Sequence, residues 1–366
     1  DGRDCLSGSD GKERSMAHPM GADAGDGVAM YNASLINDPF GDPGVYIECK
    51  YRREAVLFDI GDLHLLPPRK LLKIDYIFVS HTHMDHFIGF DHLLRLCLGR
   101  DKHLRLFGPP GFLNQLENKL AAYTWNLVEN YTNDFAVIAT EVRPDTRIMK
   151  RYCCRTAFQP ETMMEDEGFD GVLLETQFFT VRGIFLDHLI PCLAFRFDER
   201  QRFNILKTVL KEMDLPTGAW LMALKAHLLN GDGDDTPVRI CSGNPPSDPR
   251  DTWRPLKTLK RAVKVSPGLQ VVYVTDAVHS PENCSAILEL ADHADLLFIE
   301  TTFLQEDQGT AARKYHLTAR QAGTLAKQAH VKRLIPFHFS PKYKGARHLL
   351  TEEAMAAFRG DPGKRP

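Results

Sequence analysis

The sequence lacks the features typical of a membrane protein, a disulfide-bonded protein or a strongly basic protein. No run approaches the roughly 18 consecutive apolar residues of a membrane span, and the start lacks the charged-then-apolar pattern of a signal peptide. The eight cysteines form no Cys-x-x-Cys pair, so we expect reduced thiols and a cytoplasmic protein without a membrane partner. The net charge of −3 excludes a global basic field for nucleic acid, although not a local basic patch.

Composition divides the 366 residues into two parts of unequal size. Residues 1–27 are rich in Gly, Asp and Ser and have almost no apolar periodicity, which predicts a disordered leader or a cloning remnant. The whole chain is 43% apolar and 25% charged, an ordinary globular composition. We therefore expect residues 28–366 to form a single domain, with a candidate helical insertion at 200–240.

Apolar periodicity predicts strands that first come in clusters and then alternate with helices. The predicted strands are at residues 44–51, 54–60, 74–79, 104–107, 135–155 (one or two), 178–188, 191–197, 270–275, 296–300 and 333–337. The predicted helices are at residues 87–96, 112–122, 203–213, 218–229, 318–330 and 349–358. The acidic stretch 161–170 is expected to be a solvated loop. This order favours an α/β protein made of two sheets with helices outside.

The most informative stretch is the loop at residues 80–86, Ser-His-Thr-His-Met-Asp-His, here called the metal loop. It follows the apolar strand predicted at 74–79, and strand C-termini in α/β folds are where sites are usually built. Its four ligand-type side chains suit two metal ions held close together better than one tetrahedral ion. A polar loop that is rich in histidine by chance is disfavoured by the spacing. The four side chains are His81, His83, Asp85 and His86, and Asp85 is also a candidate to orient an attacking water.

Three further candidate ligands come later in the chain, each at the end of an apolar run: His188, Asp276 and His338. Taken alone, a single histidine after a strand is more often a hydrogen-bonded structural residue than a ligand. Asp59, close to the metal loop in sequence, is a candidate hydrogen-bond acceptor for a ligand imidazole. A role as the cap of a strand end is equally consistent with the position of Asp59.

The His-x-His-x-Asp-His spacing of residues 81–86 resembles the signature of the metallo-β-lactamase superfamily of zinc hydrolases. The resemblance implies an αββα sandwich of two mixed β-sheets with helices outside, and the three later candidates match the superfamily's later motifs in order. It also implies two zinc ions, although Mn²⁺ or Fe²⁺ suits similar ligands. The implied arrangement places His81, His83 and His188 on one ion, Asp85, His86 and His338 on the other, and Asp276 between them.

Three stretches narrow the resemblance to the ribonuclease Z group. Residues 338–343, His-Phe-Ser-Pro-Lys-Tyr, are similar to its His-Phe-Ser-x-Arg-Tyr ending, 299–303 to its Glu-Ala-Thr-Phe motif, and 315–322 to its His-Ser-Thr-Ala helix start. The resemblance implies that His316 is the general acid and that Glu300 orients it. The chemistry supports these roles, because phosphodiester cleavage expels a poor alkoxide and a nearby carboxylate keeps an imidazole charged. Helix capping without catalysis is the alternative for His316.

The implied substrate is RNA, at the 3′ end of precursor tRNA, and the implied assembly is a homodimer. Three clusters of basic residues offer phosphate contacts, each adding to the salt dependence of binding, although solvated surface is the commoner explanation of such clusters. The clusters are Lys257, Lys260, Arg261 and Lys264, which share a face if residues 255–265 are helical; Arg69, Lys70 and Lys73; and Lys342, Lys344 and Arg347.

The chain also departs from the ribonuclease Z pattern, and the departures keep a second substrate class open. Residues 61–65 keep only the first Gly and an acid of the family's Gly-Glu-Gly-Thr-Gln stretch, and Met84 stands where Gly is common. No stretch clearly matches the Gly-, Pro- and Lys-rich arm that grips tRNA. The alternative is a small-molecule phosphodiesterase or aryl sulfatase on the same fold. A third hypothesis, a metal- or RNA-binding module without activity, conflicts with a full ligand set beside a proton donor.

Overall fold

The computed structural model describes residues 31–50, 52–241 and 252–361, so the predicted leader lies outside the described residues. The first sheet has eight strands, which are neighbours in chain order. They are β1 (Tyr31–Leu35), β2 (Val45–Cys49), β3 (Ala55–Phe58), β4 (Ile74–Phe78), β5 (Lys102–Gly108), β6 (Phe135–Val142), β7 (Thr146–Cys153) and β8 (Pro160–Glu167). Strands β3 to β6 run parallel and the outer pairs run antiparallel, so the sheet is mixed.

The second sheet has six strands in the order β18-β17-β16-β11-β10-β9. The later strands of the chain are β9 (Val172–Glu175), β10 (Phe179–Asp187), β11 (Pro191–Glu199), β12 (Arg202–Ile205), β13 (Pro237–Ile240), β14 (Thr252–Pro255), β15 (Val263–Ser266), β16 (Gln270–Val274), β17 (Leu296–Glu300) and β18 (Arg333–Phe337). Strands β16, β17 and β18 are parallel, and the other pairs of this sheet are antiparallel. Strands β12 and β15 form one small antiparallel two-stranded sheet, and β13 and β14 form another.

Helices lie mainly between the parallel strands and at the C-terminal end. In chain order they are α1 (Pro68–Leu71), α2 (Met84–Phe87), α3 (Phe90–Cys97), α4 (Phe112–Ala121), α5 (Lys207–Glu212), α6 (Trp220–Asn230), α7 (Leu256–Leu259), α8 (Pro281–Ala291), α9 (Gln308–Arg313), α10 (Ala319–Gln328) and α11 (Arg347–Arg359). Among the described helices, none combines the length and the apolar character that crossing a bilayer requires.

Three apolar clusters define four layers. The central cluster joins the facing sides of the two sheets, where Phe58 of the first sheet stacks on Phe195 of the second with ring centroids 5.2 Å apart. The outer face of the first sheet packs against α3 and α4 through side chains such as Phe90 and Phe112. The outer face of the second sheet packs against α8, α10 and α11. The prediction of an αββα sandwich with two mixed sheets and helices outside is confirmed.

The segment between β11 and β16 has a small apolar cluster of its own, formed by α5, α6, α7 and the short strands around them. Residues 203–213, predicted as one helix, instead begin as β12, because Arg202–Ile205 pairs with β15 more than fifty residues later. Residues 255–265 are not one helix either: α7 is followed by a 3₁₀ turn and by β15. The basic residues of that stretch therefore do not share one helix face.

The acidic stretch 161–170, predicted as a solvated loop, is largely the edge strand β8. Its backbone pairs antiparallel with β7, from Tyr152↔Pro160 to Thr146↔Glu167. The side chains of residues 161–165 are exposed, so the acidic residues keep their hydration while the backbone completes the sheet. Charged side chains on an edge strand also oppose pairing with a second chain.

Candidate metal centre

The predicted ligands all lie where strands end, on one edge of the sandwich. The metal loop follows β4, and α2 begins directly after His83. His188 follows β10, Asp276 comes shortly after β16, and His338 follows β18. Because β16, β17 and β18 are parallel, their carboxyl ends share one edge of the second sheet, which also places Glu300 at the end of β17 beside these ligands.

A first group of side chains surrounds the carboxylate of Asp276. Its Oδ2 lies 3.5 Å from His81 Nε2 and 3.4 Å from His188 Nε2. The ligand atoms of these three residues and of His83 lie within 4.8 Å of one another. Burial lowers the pKa of His81 to about 2, so this imidazole is neutral and presents a lone pair. Burial also lowers the pKa of His83.

A second group lies directly beside the first. The ligand atoms of Asp85, His86 and His338 lie within 4.8 Å of one another, and His338 Nε2 is 3.3 Å from Asp85 Oδ2. His86 Nε2 is 3.5 Å from Oδ2 of Asp85 and also 3.5 Å from Oδ2 of Asp276. One oxygen atom of Asp276 therefore lies close to imidazole nitrogens of both groups, in the position of a shared ligand.

Two buried nitrogen atoms show that these residues fit a bound cation. His81 Nε2 and His86 Nε2 have no hydrogen-bond partner among the described residues, although an unpaired buried polar atom costs about 1–3 kcal/mol. Burial acts to lower the pKa of His86, but the carboxylates of Asp276 and Asp59 outweigh burial and raise this pKa to about 10. The carboxylates thus favour positive charge in the site, and the imidazole and carboxylate donors suit Zn²⁺.

Asp59 orients one of these imidazoles. Its carboxylate accepts hydrogen bonds from His86 Nδ1 at 2.7 Å and from the Tyr273 hydroxyl at 2.7 Å. It also accepts from the Ser80 backbone N–H at 2.6 Å and from the Ser80 hydroxyl at 2.7 Å. A bond to Nδ1 fixes the tautomer and directs Nε2 to the site. Asp59 therefore has both roles that the sequence suggested. It accepts a hydrogen bond from a candidate ligand imidazole, and it caps the end of a strand.

Two other imidazoles are oriented in the same way. His188 Nδ1 is 2.8 Å from the carbonyl oxygen of Tyr315, and His338 Nδ1 is 3.0 Å from Asp276 Oδ1. Each contact leaves Nε2 directed to the cluster. Tyr315 and His338 both have positive φ, at 58° and 59°, a backbone conformation that is uncommon for residues other than Gly and concentrates at functional sites.

Two glycines hold the metal loop against the end of β3. A Cβ atom at Gly89 would lie 2.0 Å from the carbonyl oxygen of Gly61, and one at Gly61 would lie 2.5 Å from the carbonyl oxygen of Asp85. Gly89 N–H donates to Ile60 O, and Ile60 N–H donates to His86 O, both at 2.9 Å. The backbone can approach this closely only without side chains, and the position of the loop follows from this contact.

Buried Glu300 and half-buried His316 form a pair beside the candidate metal ligands. His316 Nδ1 is 2.8 Å from Glu300 Oε2, and the Ala277 N–H donates to Glu300 Oε1 at 2.7 Å. Burial acts to raise the pKa of Glu300, but His316 outweighs burial and lowers the pKa to about 2. Burial acts to lower the pKa of His316, but the Glu300 carboxylate raises it overall. Both shifts favour the ionised form of the pair, and the imidazole ring of His316 lies 5.5 Å from that of His338 between centroids.

Two polar contacts at the site escaped sequence analysis. The Thr302 hydroxyl donates to Glu300 and lies 2.9 Å from the His338 carbonyl oxygen. Its position within residues 299–303, which resemble the Glu-Ala-Thr-Phe motif, is the signal that could have identified it. The Tyr273 hydroxyl, which donates to Asp59, had no such signal, because Tyr273 lies within an apolar strand and is buried.

Two exposed apolar side chains directly follow candidate ligands in the sequence. Met84 follows His83 and is 76% exposed, and Leu189 follows His188 and is 74% exposed. The rings of His83 and His188 are 5.3 Å apart between centroids, so the two apolar residues adjoin the same part of the site. Exposed apolar groups beside polar ligands are typical of the mouth of a binding site.

Comparison with known proteins places this geometry in a family. The family model for the beta-lactamase superfamily domain matches residues 57–149 and 226–339, which include both ligand groups except His188, and also include Glu300 and His316. The metallo-beta-lactamase fold protein YhfI from Bacillus subtilis has a TM-score of 0.50 at 17% identity and covers 90% of this chain and 93% of its own, which is a similarity of fold alone.

Curated relatives carry the name Ribonuclease Z. The one from Deinococcus radiodurans is 28% identical over 339 residues, covering 90% of this chain and 96% of the relative. The one from Bacillus subtilis is 30% identical over 320 residues, covering 84% and 85%. The chain therefore belongs to the beta-lactamase superfamily and, within it, to the group of the Ribonuclease Z proteins. It is a metal-dependent hydrolase.

Gly89→Ala tests whether the metal loop depends on the glycine contact. The new Cβ would meet the Gly61 carbonyl oxygen at 2.0 Å, so we expect a loss of about 3 kcal/mol in the free energy of unfolding and weaker metal retention. Chemical denaturation and the metal content after dialysis measure the two effects. Gly233→Ala is the matched control, because its Cβ meets nothing within 4 Å. Equal stability and metal content in the two variants would contradict the role of the contact.

Proposed function

We propose that the chain is a two-zinc phosphodiesterase, an endoribonuclease that cleaves precursor tRNA at its 3′ end. The observation that carries the proposal is the hydrogen-bonded Glu300–His316 pair next to the two ligand groups, because it supplies a proton donor where a leaving oxygen would form. The curated relatives named Ribonuclease Z support the choice of RNA, since they match over 84–90% of this chain.

Seven residues would hold the ions. The assignment that the family resemblance implies is proposed here: His81, His83 and His188 on one ion, Asp85, His86 and His338 on the other, and Asp276 shared, with the closeness of their ligand atoms in support. When bound, the ions would supply Lewis acidity at the scissile phosphate. The buried nitrogen atoms of His81 and His86, which have no hydrogen-bond partner among the described residues, support these two as ligands.

Asp85 is proposed to orient the attacking water as well as to bind metal. Burial acts to raise its pKa, but the hydrogen bond from His338 and the charge of His86 outweigh burial and hold the pKa below its usual range. The carboxylate is therefore ionised at neutral pH and accepts hydrogen bonds. Its side chain is 44% exposed, which leaves it accessible to water from the open side of the site.

His316 is proposed to protonate the departing 3′ oxygen. Its Nδ1 is directed to Glu300, which leaves the Nε2–H as the donor to substrate. Glu300 cannot take up the proton readily, because its own pKa is lowered to about 2 by His316 against the effect of burial. The pair thus keeps the proton on the imidazole until a more basic oxygen forms.

A second candidate function is that of a small-molecule phosphodiesterase or aryl sulfatase. It is supported by the ion pairs that the basic clusters form with acidic residues. Lys257, Lys342 and Arg347 each pair with an aspartate at 2.6–2.8 Å. Lys70 and Lys73 share a glutamate, Glu48, at 3.0 and 3.6 Å. These ion pairs neutralise much of the positive charge that the sequence suggested for contacts with RNA phosphates. The proposed homodimer would be one source of further RNA contacts.

Cleavage of precursor tRNA tests the leading proposal directly. Purified protein is incubated with a precursor that carries a 3′ trailer, with a chelator, and with the chelator followed by Zn²⁺ or Mn²⁺. We expect cleavage at the 3′ side that the chelator abolishes and the metal restores. A parallel panel of cyclic nucleotides and aryl sulfates tests the second candidate. Turnover on that panel without tRNA cleavage would replace the RNA proposal with the small-molecule one.

His316→Ala tests the proton donor through the leaving group. We expect cleavage of an RNA phosphodiester, which expels an alkoxide, to fall by about 100- to 10,000-fold. Cleavage of bis-p-nitrophenyl phosphate should change far less, because p-nitrophenolate leaves without a proton. His348→Ala, an exposed histidine on α11, is the control. An equal loss on both substrates, with metal content unchanged, would remove the acid role.

Glu300→Gln tests the electrostatic coupling through the pH profile. Glu300 raises the pKa of His316 above its usual value, and His316 must be protonated to donate. Removing the carboxylate charge lowers this pKa, so the alkaline limb of kcat against pH should move to lower pH. The measurement is the pH dependence of RNA cleavage in wild type and variant, with metal content determined for both. A limb that stays in place would show that His316 does not depend on Glu300 for its charge.

A further inference from the structure

Two helices end side by side at the edge of the second sheet that lies away from the catalytic centre. Helix α8 ends at Ala291 before β17, and α10 ends at Gln328 before β18. Glu300 and His338 lie at the other ends of these two strands. The loops that follow the helices are joined by backbone hydrogen bonds, from His293 N–H to Ala329 O at 2.8 Å and from Lys332 N–H to Ala294 O at 2.9 Å.

Three metal-ligating side chains meet at these helix ends. Asp292 is the C-cap of α8, His293 follows it, and His330 follows Ala329, the C-cap of α10. The ligand atoms of Asp292, His293 and His330 all lie within 4.8 Å of one another. The two imidazole rings stack with centroids 5.1 Å apart and planes 18° apart, and His293 Nε2 is 3.7 Å from Asp292 Oδ1.

The backbone at both histidines is in the left-handed region, with φ of 52° at His293 and 55° at His330. Gly or Asn is the usual residue at such a position after a helix, so the backbone conformation does not explain why an imidazole stands at each. Two features of the place favour a cation, the helix C-termini and the side chain of Asp292. Two helices of 11 and 10 residues end here, and the C-terminus of each carries a partial negative charge. Asp292 adds a carboxylate between them.

We propose that Asp292, His293 and His330 form a surface site for a divalent transition-metal ion of the Zn²⁺ and Ni²⁺ class, separate from the catalytic centre. Two imidazoles and one carboxylate are donors that these ions prefer over Mg²⁺ or Ca²⁺. All three residues are exposed, so small rotations bring their ligand atoms to one ion and water completes the coordination. The bound ion links the loop before β17 to the loop before β18 and so stabilises the folded chain.

The test counts bound ions in wild type and in two single variants, His293→Asn and His330→Asn. Asn tolerates the left-handed backbone and binds these ions poorly, so each variant removes a ligand without adding strain. Each protein is dialysed against Zn²⁺ and its zinc content is measured by mass spectrometry. The expected result is one ion fewer per chain in both variants. Because the result is a difference, it does not depend on the number of ions at the catalytic centre or on the proposed substrate.

His103→Asn is the matched control, since His103 is also exposed and lies 2.9 Å from a carboxylate oxygen, that of Asp134, but its group includes no second imidazole. The control should keep the full zinc content. A Ni²⁺ titration followed by thermal unfolding gives a second readout, in which the rise in Tm should be smaller in both Asn variants than in wild type and control. Zinc content and Tm response equal to wild type in both variants would overturn the proposal, as would an equal loss in the control.

Discussion

The buried carboxylate of Asp59 is the constraint on which the rest of the site depends. It follows a strand of the first sheet, accepts a hydrogen bond from Tyr273 in the second sheet, and accepts three more from Ser80 and His86 of the metal loop. A buried carboxylate is costly unless hydrogen-bond donors satisfy it, and four donors satisfy this one. Any shift of one sheet against the other would break these bonds, so the sheets, the loop and one ligand imidazole hold a single relative position.

The layered architecture was predictable because burial on both faces leaves a strong trace in the sequence. Strands such as β4, β16 and β17 are nearly continuous apolar runs, and the alternation of strand and helix after residue 270 follows from them. The predictions were wrong where strand pairing is not driven by apolar side chains. Edge strand β8 is acidic and exposed, and β12 finds its partner β15 far along the chain. In both cases backbone hydrogen bonding decides the structure, to the neighbouring strand β7 for β8 and to a distant strand for β12, and no apolar pattern indicates either pairing.

The candidate site was predictable to the extent that chemistry concentrates in short motifs. The metal loop, His188, Asp276 and His338 could be identified because each lies at a strand end, and the structure brings all of them together. The orienting contacts were less accessible to sequence. Asp59 was recognised as a candidate, whereas the hydroxyl of Tyr273 is hidden in an apolar run. The Asp292, His293 and His330 cluster joins residues far apart in the chain, and only the convergence of two helix ends reveals it.

The close backbone contact between Gly61 and Gly89 has a consequence for how the enzyme acquires its ions. The close approach of the two glycines and two backbone hydrogen bonds set the course of the metal loop, so the fold itself positions its four candidate ligands. Loading would then require little ordering of this loop, and the energy released on binding an ion would go into the affinity of the centre rather than into folding.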